Sequence, residues 1–194
     1  EMAKIDIADA TLVDRCRHGD SAAMERLILK YQNRIYNVIL KICRNPHDAA
    51  ELTQETFVKI IESIAKFQSK SSFYTWAFRI AVNLTLNYCQ RCGRIGLKSL
   101  DVEDYEHNEE ATQTLKEFLS DDSSPDPAMV AQNKELCQIA IQSLMKLDDE
   151  QRAVVVLRDI EGMSYAQIAD VLQIKLGTVR SRLSRARSRL REIM

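Results

Sequence analysis

The chain has 194 residues, room for one or two small domains. Its hydrophobic share of 45% is that of ordinary folded protein, and no apolar run approaches the roughly 20 residues that span a bilayer. No signal peptide opens the sequence, so a cytoplasmic location and no insertion into membrane are expected. The formal net charge of −1 excludes no partner, whereas the scarcity of glycine (5) and proline (3) points to an all-α chain with short connections.

A short helix is expected from about Ala8 to Arg17, ended by Gly19. A long one follows, because Met24, Leu27, Ile28, Tyr31, Ile35, Val38, Ile39 and Ile42 recur at spacings of three and four. Asn45 and Pro46 stop it and start the next: Asn caps, and Pro fits the first helical position. Leu52, Phe57, Ile60, Ile61, Ile64 and Phe67 carry that third helix to about Phe67. After the loop Gln68-Ser69-Lys70-Ser71-Ser72, a fourth helix from about Phe73 to Arg91 has Trp76, Ile80, Leu84 and Asn87/Tyr88 along one side. These four helices can close over one core, giving a first domain over residues 1–97.

Residues 98–132 read as a flexible linker containing Ser123-Ser124-Pro125-Asp126-Pro127, with a short helix possible near Thr112 to Leu119. A second helical domain, residues 133–194, begins with Leu136, Ile139, Ala140 and Leu144 on one helix face. Asp148 caps the next helix, with Gln151 at its third position and Ala153 to Leu157 as its body. Gly162 ends it. Ser164 and Gln167 form a capping box for a helix with Ile168, Val171 and Leu172 on its apolar face. Gly177, just before the last helix, suits a tight turn.

That last helix makes nucleic acid the expected partner. Val179, Leu183, Ala186 and Leu190 form one narrow apolar stripe. At about 100° per residue, Ser181, Ser184, Arg185 and Ser188 point away from it, with Arg180, Arg182, Arg187, Arg189 and Arg191 on the flanks. A turn after a short helix and a basic second helix is the arrangement that lays a helix in the major groove, where arginine pairs bidentately with guanine or clamps phosphate. A solvated basic face is the alternative for the charge run taken alone. Charge along the chain is partitioned: six basic and no acidic residues from Ser63 to Leu100, ten acidic and one basic (Lys116) from Asp101 to Asp126, then seven basic and no acidic from Lys175 to Arg191. Two basic modules separated by an acidic connector imply two nucleic-acid contacts.

Five cysteines, an odd number, suggest reduced thiols. Cys16, Cys43 and Cys137 fall at apolar helical positions and are expected to pack as small hydrophobes. Cys89 and Cys92 form a Cys-x-x-Cys, but no further ligands stand at zinc spacing and His107 lies in the acidic stretch, so no metal or cofactor is expected.

Three stretches carry a family resemblance: Leu52-Thr-Gln-Glu-Thr-Phe-Val-Lys; Ser72-Phe-Tyr-Thr-Trp-Ala-Phe-Arg-Ile-Ala-Val-Asn; and Gly162-Met-Ser-Tyr-Ala-Gln-Ile-Ala with Gly177-Thr-Val-Arg-Ser-Arg-Leu. In this order and spacing, with an acidic linker between, the chain closely resembles the extracytoplasmic-function (ECF) group of bacterial sigma factors in the sigma-70 family, over nearly its whole length. The resemblance implies a protein that binds core RNA polymerase, reads and melts the −10 element with its first domain and reads the duplex −35 element with its second, under control of an anti-sigma factor that is often membrane-anchored. It implies polymerase docking through the third helix, where Asp48, Glu51, Glu55 and Glu62 form a polar stripe flanked by Gln54 and Lys59. The family usually has another acidic residue where this chain has Ala50 or Leu52.

For the −10 strand the resemblance points to Gln68, Ser69, Lys70, Ser71, Ser72 and Phe73, with Tyr74, Trp76, Arg79 and Asn83 behind them; Trp76 and Phe73 equally suit the core. The family loop often carries arginine, glycine and aspartate where this chain has Gln68, Ser69 and Lys70. For the −35 element the expected contacts are Thr178, with Arg180, Ser181, Ser184 and Arg185 facing the groove and Arg182 and Arg187 on phosphate; an aromatic is frequent in the family at position 184. The acidic linker would thread the polymerase channel or serve as a solvated tether. Two other classes compete: a stand-alone helix-turn-helix regulator, for which no ligand-sensing or phosphate-accepting module is present, and a nucleic-acid enzyme, for which no metal cluster, glycine-rich phosphate loop or nucleophile–base pair is present.

Overall fold

The computed structural model describes residues 7–96 and 142–193; the linker, the expected helix near Thr112 to Leu119, and Leu136, Cys137, Ile139 and Ala140 lie outside them. No strand occurs among the described residues. The first module contains α1 (Ile7–Arg17), α2 (Ser21–Cys43), α3 (Pro46–Ser63), a 3₁₀ turn (Ile64–Lys66) and α4 (Phe73–Gly96). The second contains a helical turn at 142–145, α5 (Asp149–Val155) running into a π-helical segment (Val156–Ile160), α6 (Tyr165–Leu172) and α7 (Leu176–Ile193).

Local signals account for the boundaries. Asp20 caps α2 by accepting from the Ala23 N–H, and Arg44 closes it in the left-handed region with its N–H on Leu40 O. Asn45 accepts from the His47 and Asp48 N–H groups with Pro46 opening α3, which satisfies donors a helix start leaves unpaired. Asp148 caps α5, and Ser164 with Gln167 forms both halves of the capping box on α6. Two expectations change. Gly177 lies inside the first turn of α7 rather than in the turn before it; the left-handed residue there is Gln173, φ 54°. Gly162, φ 69°, does end the preceding segment.

Apart from half-buried Ile28, the α2 stripe from Leu27 through Ile42 is buried, as are Ala49, Leu52, Phe57 and Ile60 of α3. Ile61 is not: it stands 49% exposed beside Val58, 52% exposed. The α4 core face also differs from expectation. It is Ala77, Phe78, Ala81 and Val82, each fully buried, with Trp76, Ile80 and Leu84 half-buried on the other side. The cause is that α4 packs mainly on α2, α3 and α6, with lesser contacts to α1 and α5, so one stripe no longer marks the core. The contact with α6 joins the modules, and α2 packs on α5 as well.

Candidate promoter and polymerase interfaces

On α7, Val179, Leu183 and Ala186 are buried, and Leu190 is half-buried. The opposite side carries Arg180, Ser181, Ser184 and Arg185, all exposed, with Thr178 at its edge half-buried. Arg185 Nε donates to Ser181 O, 3.4 Å, so its fork is held along the helix. Ser184, Arg185 and Ser188 line an open cleft with Asp148 and Gln151 at the start of α5. The two expected phosphate contacts are engaged elsewhere. Arg182, 21% exposed, pairs with Glu150 at 2.5 Å, which turns it toward α5. Arg187 holds Asp159 at 2.6 Å, and that carboxylate raises the guanidinium above its usual value. Arg187 stays exposed and can exchange Asp159 for phosphate; Arg182 is the less available of the two.

On the first module, Gln68, Ser69 and Lys70 form an exposed loop tip, with Ser69 in the left-handed region at φ 53°. The Arg17 guanidinium donates to Ser69 Oγ, 3.3 Å, and lies over the Phe67 ring. Ser71 and Ser72 are half-buried, and Ser72 Oγ caps α4 by accepting from the Thr75 N–H at 3.1 Å. Phe73 is turned inward, 4% exposed, 5.4 Å from the Tyr31 ring and 5.8 Å from Trp76. It is a core residue, not a free stacking platform, because the first turn of α4 faces α2. Trp76 leans on Phe67 at 4.7 Å and keeps part of its surface open. Tyr74 is held in a hydrogen bond to Glu161, 3.0 Å, and burial pushes its phenol up. Arg79 is paired with Asp170, and Asn83 Nδ2 donates to Val171 O at 3.4 Å. Loop and helix are therefore brought together as expected, but the helix part faces the second module.

The α3 surface presents His47, Glu51, Gln54, Val58 and Ile61 at spacings of four, three, four and three, all exposed. That is the seam spacing of a coiled coil, open along one side. Glu55 and Lys59 pair at 3.5 Å beside it. Asp48 is half-buried and faces Tyr88 of α4 rather than the seam. Val58 and Ile61 were missed from sequence because an apolar residue at helical spacing reads as core. The signal that separates them is the seven-residue register they share with Glu51 and Gln54.

Among the described residues no group of three or more His, Cys, Asp and Glu is placed to hold a metal, and no helix is long and apolar enough to cross a membrane. Cys16 is buried; Cys43 and Cys89 are half-buried, and burial raises their thiols to about 11 and about 12. Cys92 is exposed on α4.

Residues 27–95 match the Sigma-70 region 2 family and residues 137–190 the Sigma-70, region 4 family. An RNA polymerase sigma-H factor of Pseudomonas aeruginosa is 37% identical over 180 residues, 92% of this chain and 90% of the relative. An ECF RNA polymerase sigma-E factor of Escherichia coli K12 is 35% identical over 182 residues, 93% of this chain and 91% of its own. The chain belongs to the ECF group of the sigma-70 family. It is thus an initiation factor of transcription by RNA polymerase, and α6–α7 is its helix-turn-helix. Two solved structures share its fold: CnrH in complex with the cytosolic domain of CnrY (TM-score 0.66, 22% identity, 96% of each chain) and RpoE in complex with the anti-sigma factor NepR from Bartonella quintana (TM-score 0.65, 23% identity, 87% of this chain and 94% of that one).

Proposed function

We propose that this sigma factor docks on core polymerase through the α3 seam, reads the melted −10 strand with the 68–72 loop and α4, and reads the −35 duplex with the outer face of α7. The observation that carries the reading is that outer face. Four side chains of the right chemistry, Arg180, Ser181, Ser184 and Arg185, stand exposed opposite a buried stripe. Short serines let a helix approach base edges, and each arginine can fork onto a guanine.

Strand opening costs a few kcal/mol per unstacked step. Extruded bases are held in a positive groove lined by aromatic and polar side chains; Lys70, Trp76, Arg79 and Asn83 supply such a lining once α4 is uncovered. Docking fits a helical partner, because an open seam with Val58 and Ile61 at its apolar end takes knobs from a second helix. Glu51, Gln54, Glu55 and Lys59 form its polar border, with Asp48 behind it.

The chain's domains are taken as residues 1–97 and 133–194, with the acidic 98–132 segment threading the polymerase channel as a mimic of nucleic-acid charge. The fold is shared with CnrH and RpoE, which are seen with CnrY and with the anti-sigma factor NepR, and this chain is given the same kind of regulator. The reading assigns the protein to the cytoplasm and gives it no catalytic step. The test is to mix purified chain with core polymerase, isolate the complex by gel filtration, and run transcription over a promoter library. Co-elution and initiation from a restricted promoter set support the proposal. A chain that binds DNA but never joins polymerase is instead a stand-alone regulator.

A further inference from the structure

The last turn of α1 carries two arginines with different surroundings. Arg15 is engaged with Asp20, the cap of α2, at 2.6 Å. Arg17 meets no carboxylate among the described residues; its one hydrogen bond there runs from Nη2 to Ser69 Oγ at 3.3 Å, across 52 positions of sequence. Its guanidinium lies over the Phe67 ring, 5.8 Å from the centre. The buried Nε finds no partner among the described residues, and neither does Nη1. A cation at the edge of a loop, stacked on one face and unpaired, is a donor without an acceptor.

α1 is held in place at both ends. Near its start Asp9, 5% exposed, accepts from Lys30 Nζ at 2.7 Å and from Tyr31 OH, both on α2. Near its end the Arg15–Asp20 pair ties it again. Between them α1 packs on the 3₁₀ turn that leads into the 68–72 loop. Arg17 is therefore delivered to that loop by a fixed helix. Ser69 shows what the loop gains. Its φ of 53° lies in the left-handed region, where a β-carbon is disfavoured and glycine is usual. A serine kept there gives Arg17 a hydroxyl to hold, and strain at a binding loop points to a use for the side chain.

From these contacts we infer that Arg17 is a further nucleic-acid contact of this sigma factor: it holds a backbone phosphate of the melted −10 strand, with Phe67 against one face of its guanidinium and Ser69 on one of its nitrogens. This rests on the assignment of the 68–72 loop to that strand. Nη1 and the second Nη2 proton form the fork that a pair of phosphate oxygens accepts.

The local charge suits that ligand. Lys66 and Lys70 are exposed on either side of Phe67 in sequence, and residues 63–100 hold no acidic side chain. A phosphate contact fixes the register of a strand and carries no sequence information. Arg17 thus sets where the strand lies, while the loop tip at Gln68 and Lys70 meets the bases. α1 becomes one wall of the −10 reader rather than a brace behind it.

The test uses the holoenzyme and a fluorescent single-stranded oligonucleotide of −10 non-template sequence, selected with that holoenzyme. Each phosphate is replaced in turn by a neutral methylphosphonate, and binding is read over a range of potassium chloride concentrations. Wild type should lose about tenfold at one linkage. Arg17→Gln should bind the unmodified strand about tenfold more weakly and lose nothing further at that linkage. Its salt slope should be shallower by ~0.7, the share of one single-strand phosphate. Arg17→Lys should keep the slope, and so should Ser69→Gly, which removes the hydroxyl and the backbone strain together. Circular dichroism and co-elution with core polymerase check each variant; Arg17→Met, which keeps a stem on Phe67, serves if the Gln variant does not fold. Additive losses from Arg17→Gln and the methylphosphonate at every linkage overturn the inference. An unchanged salt slope does so too, because a bracing residue weakens binding without altering counterion release. Gln68→Ala and Lys70→Ala separate the underlying assignment. If neither weakens binding, the loop is not the −10 reader; if either does while Arg17→Gln leaves affinity and slope unaltered, the α1 contact alone fails.

Discussion

α4 and α7 are both long helices, 24 and 18 residues, and neither carries an acidic residue in its first turn. Yet α7 keeps Arg180, Ser181, Ser184 and Arg185 in solvent, while α4 has Arg79 and Asn83 against α6. The difference lies in what each helix must support. α7 packs on its module along one stripe and leaves the rest free; α4 packs on α2, α3 and α6 and has little free face left. Under the proposed function, the open face of α7 is free to meet DNA, whereas that of α4 must first be uncovered.

Breaking α4 should have the largest consequence. Phe78 is fully buried, 4.3 Å from the Tyr74 ring. Phe78→Ala should destabilise the chain by about 3–5 kcal/mol in urea unfolding; a smaller loss than that of Leu183→Ala in α7 would mean α4 is not the central support.

The α3 seam is a third surface, independent of both readers. Ile61→Asp should weaken association with core polymerase by about 2 kcal/mol or more, as loss of an interface anchor does, measured by competition for core enzyme, with no change in duplex binding by the free chain.

Next come the readers themselves. Arg185→Ala should cut −35 discrimination by ~1–3 kcal/mol per lost bidentate contact, measurable on duplex DNA with the free chain and unchanged by polymerase. Asn83→Ala should weaken strand binding by the holoenzyme; unchanged binding would remove Asn83 from the −10 reader.

The smallest change is local. Ser164→Ala removes the cap of α6 and should cost ~1 kcal/mol. Because α6 is the helix that covers α4, thermal melting should show the loss, and Ser164→Asp should recover most of it.

Caps and stripes made much of this molecule readable in advance. Asn45-Pro46, Asp148 and the Ser164/Gln167 box each stand where the sequence places them, because capping depends on residues within one turn. The α7 outer face was readable for the same reason, one helix and one stripe. What misled was tertiary. Ile61 has the spacing of a core residue but lies on the open seam, and Phe73, which by sequence suits either the core or the strand, is fixed in the core by Tyr31 and Trp76. Arg182 carries the right charge for phosphate, yet Glu150 from another helix holds it. No local pattern encodes Glu161 meeting Arg34 across 127 positions of sequence.

The central claim is that two readers on one chain engage two promoter elements at once while seated on polymerase. The most direct measurement is initiation by the reconstituted holoenzyme on templates with the −10 and −35 stretches randomised independently and the spacer varied. The account predicts selection at both elements, with activity falling away from a single preferred spacing. Selection at only one element, or indifference to the spacing, would contradict it.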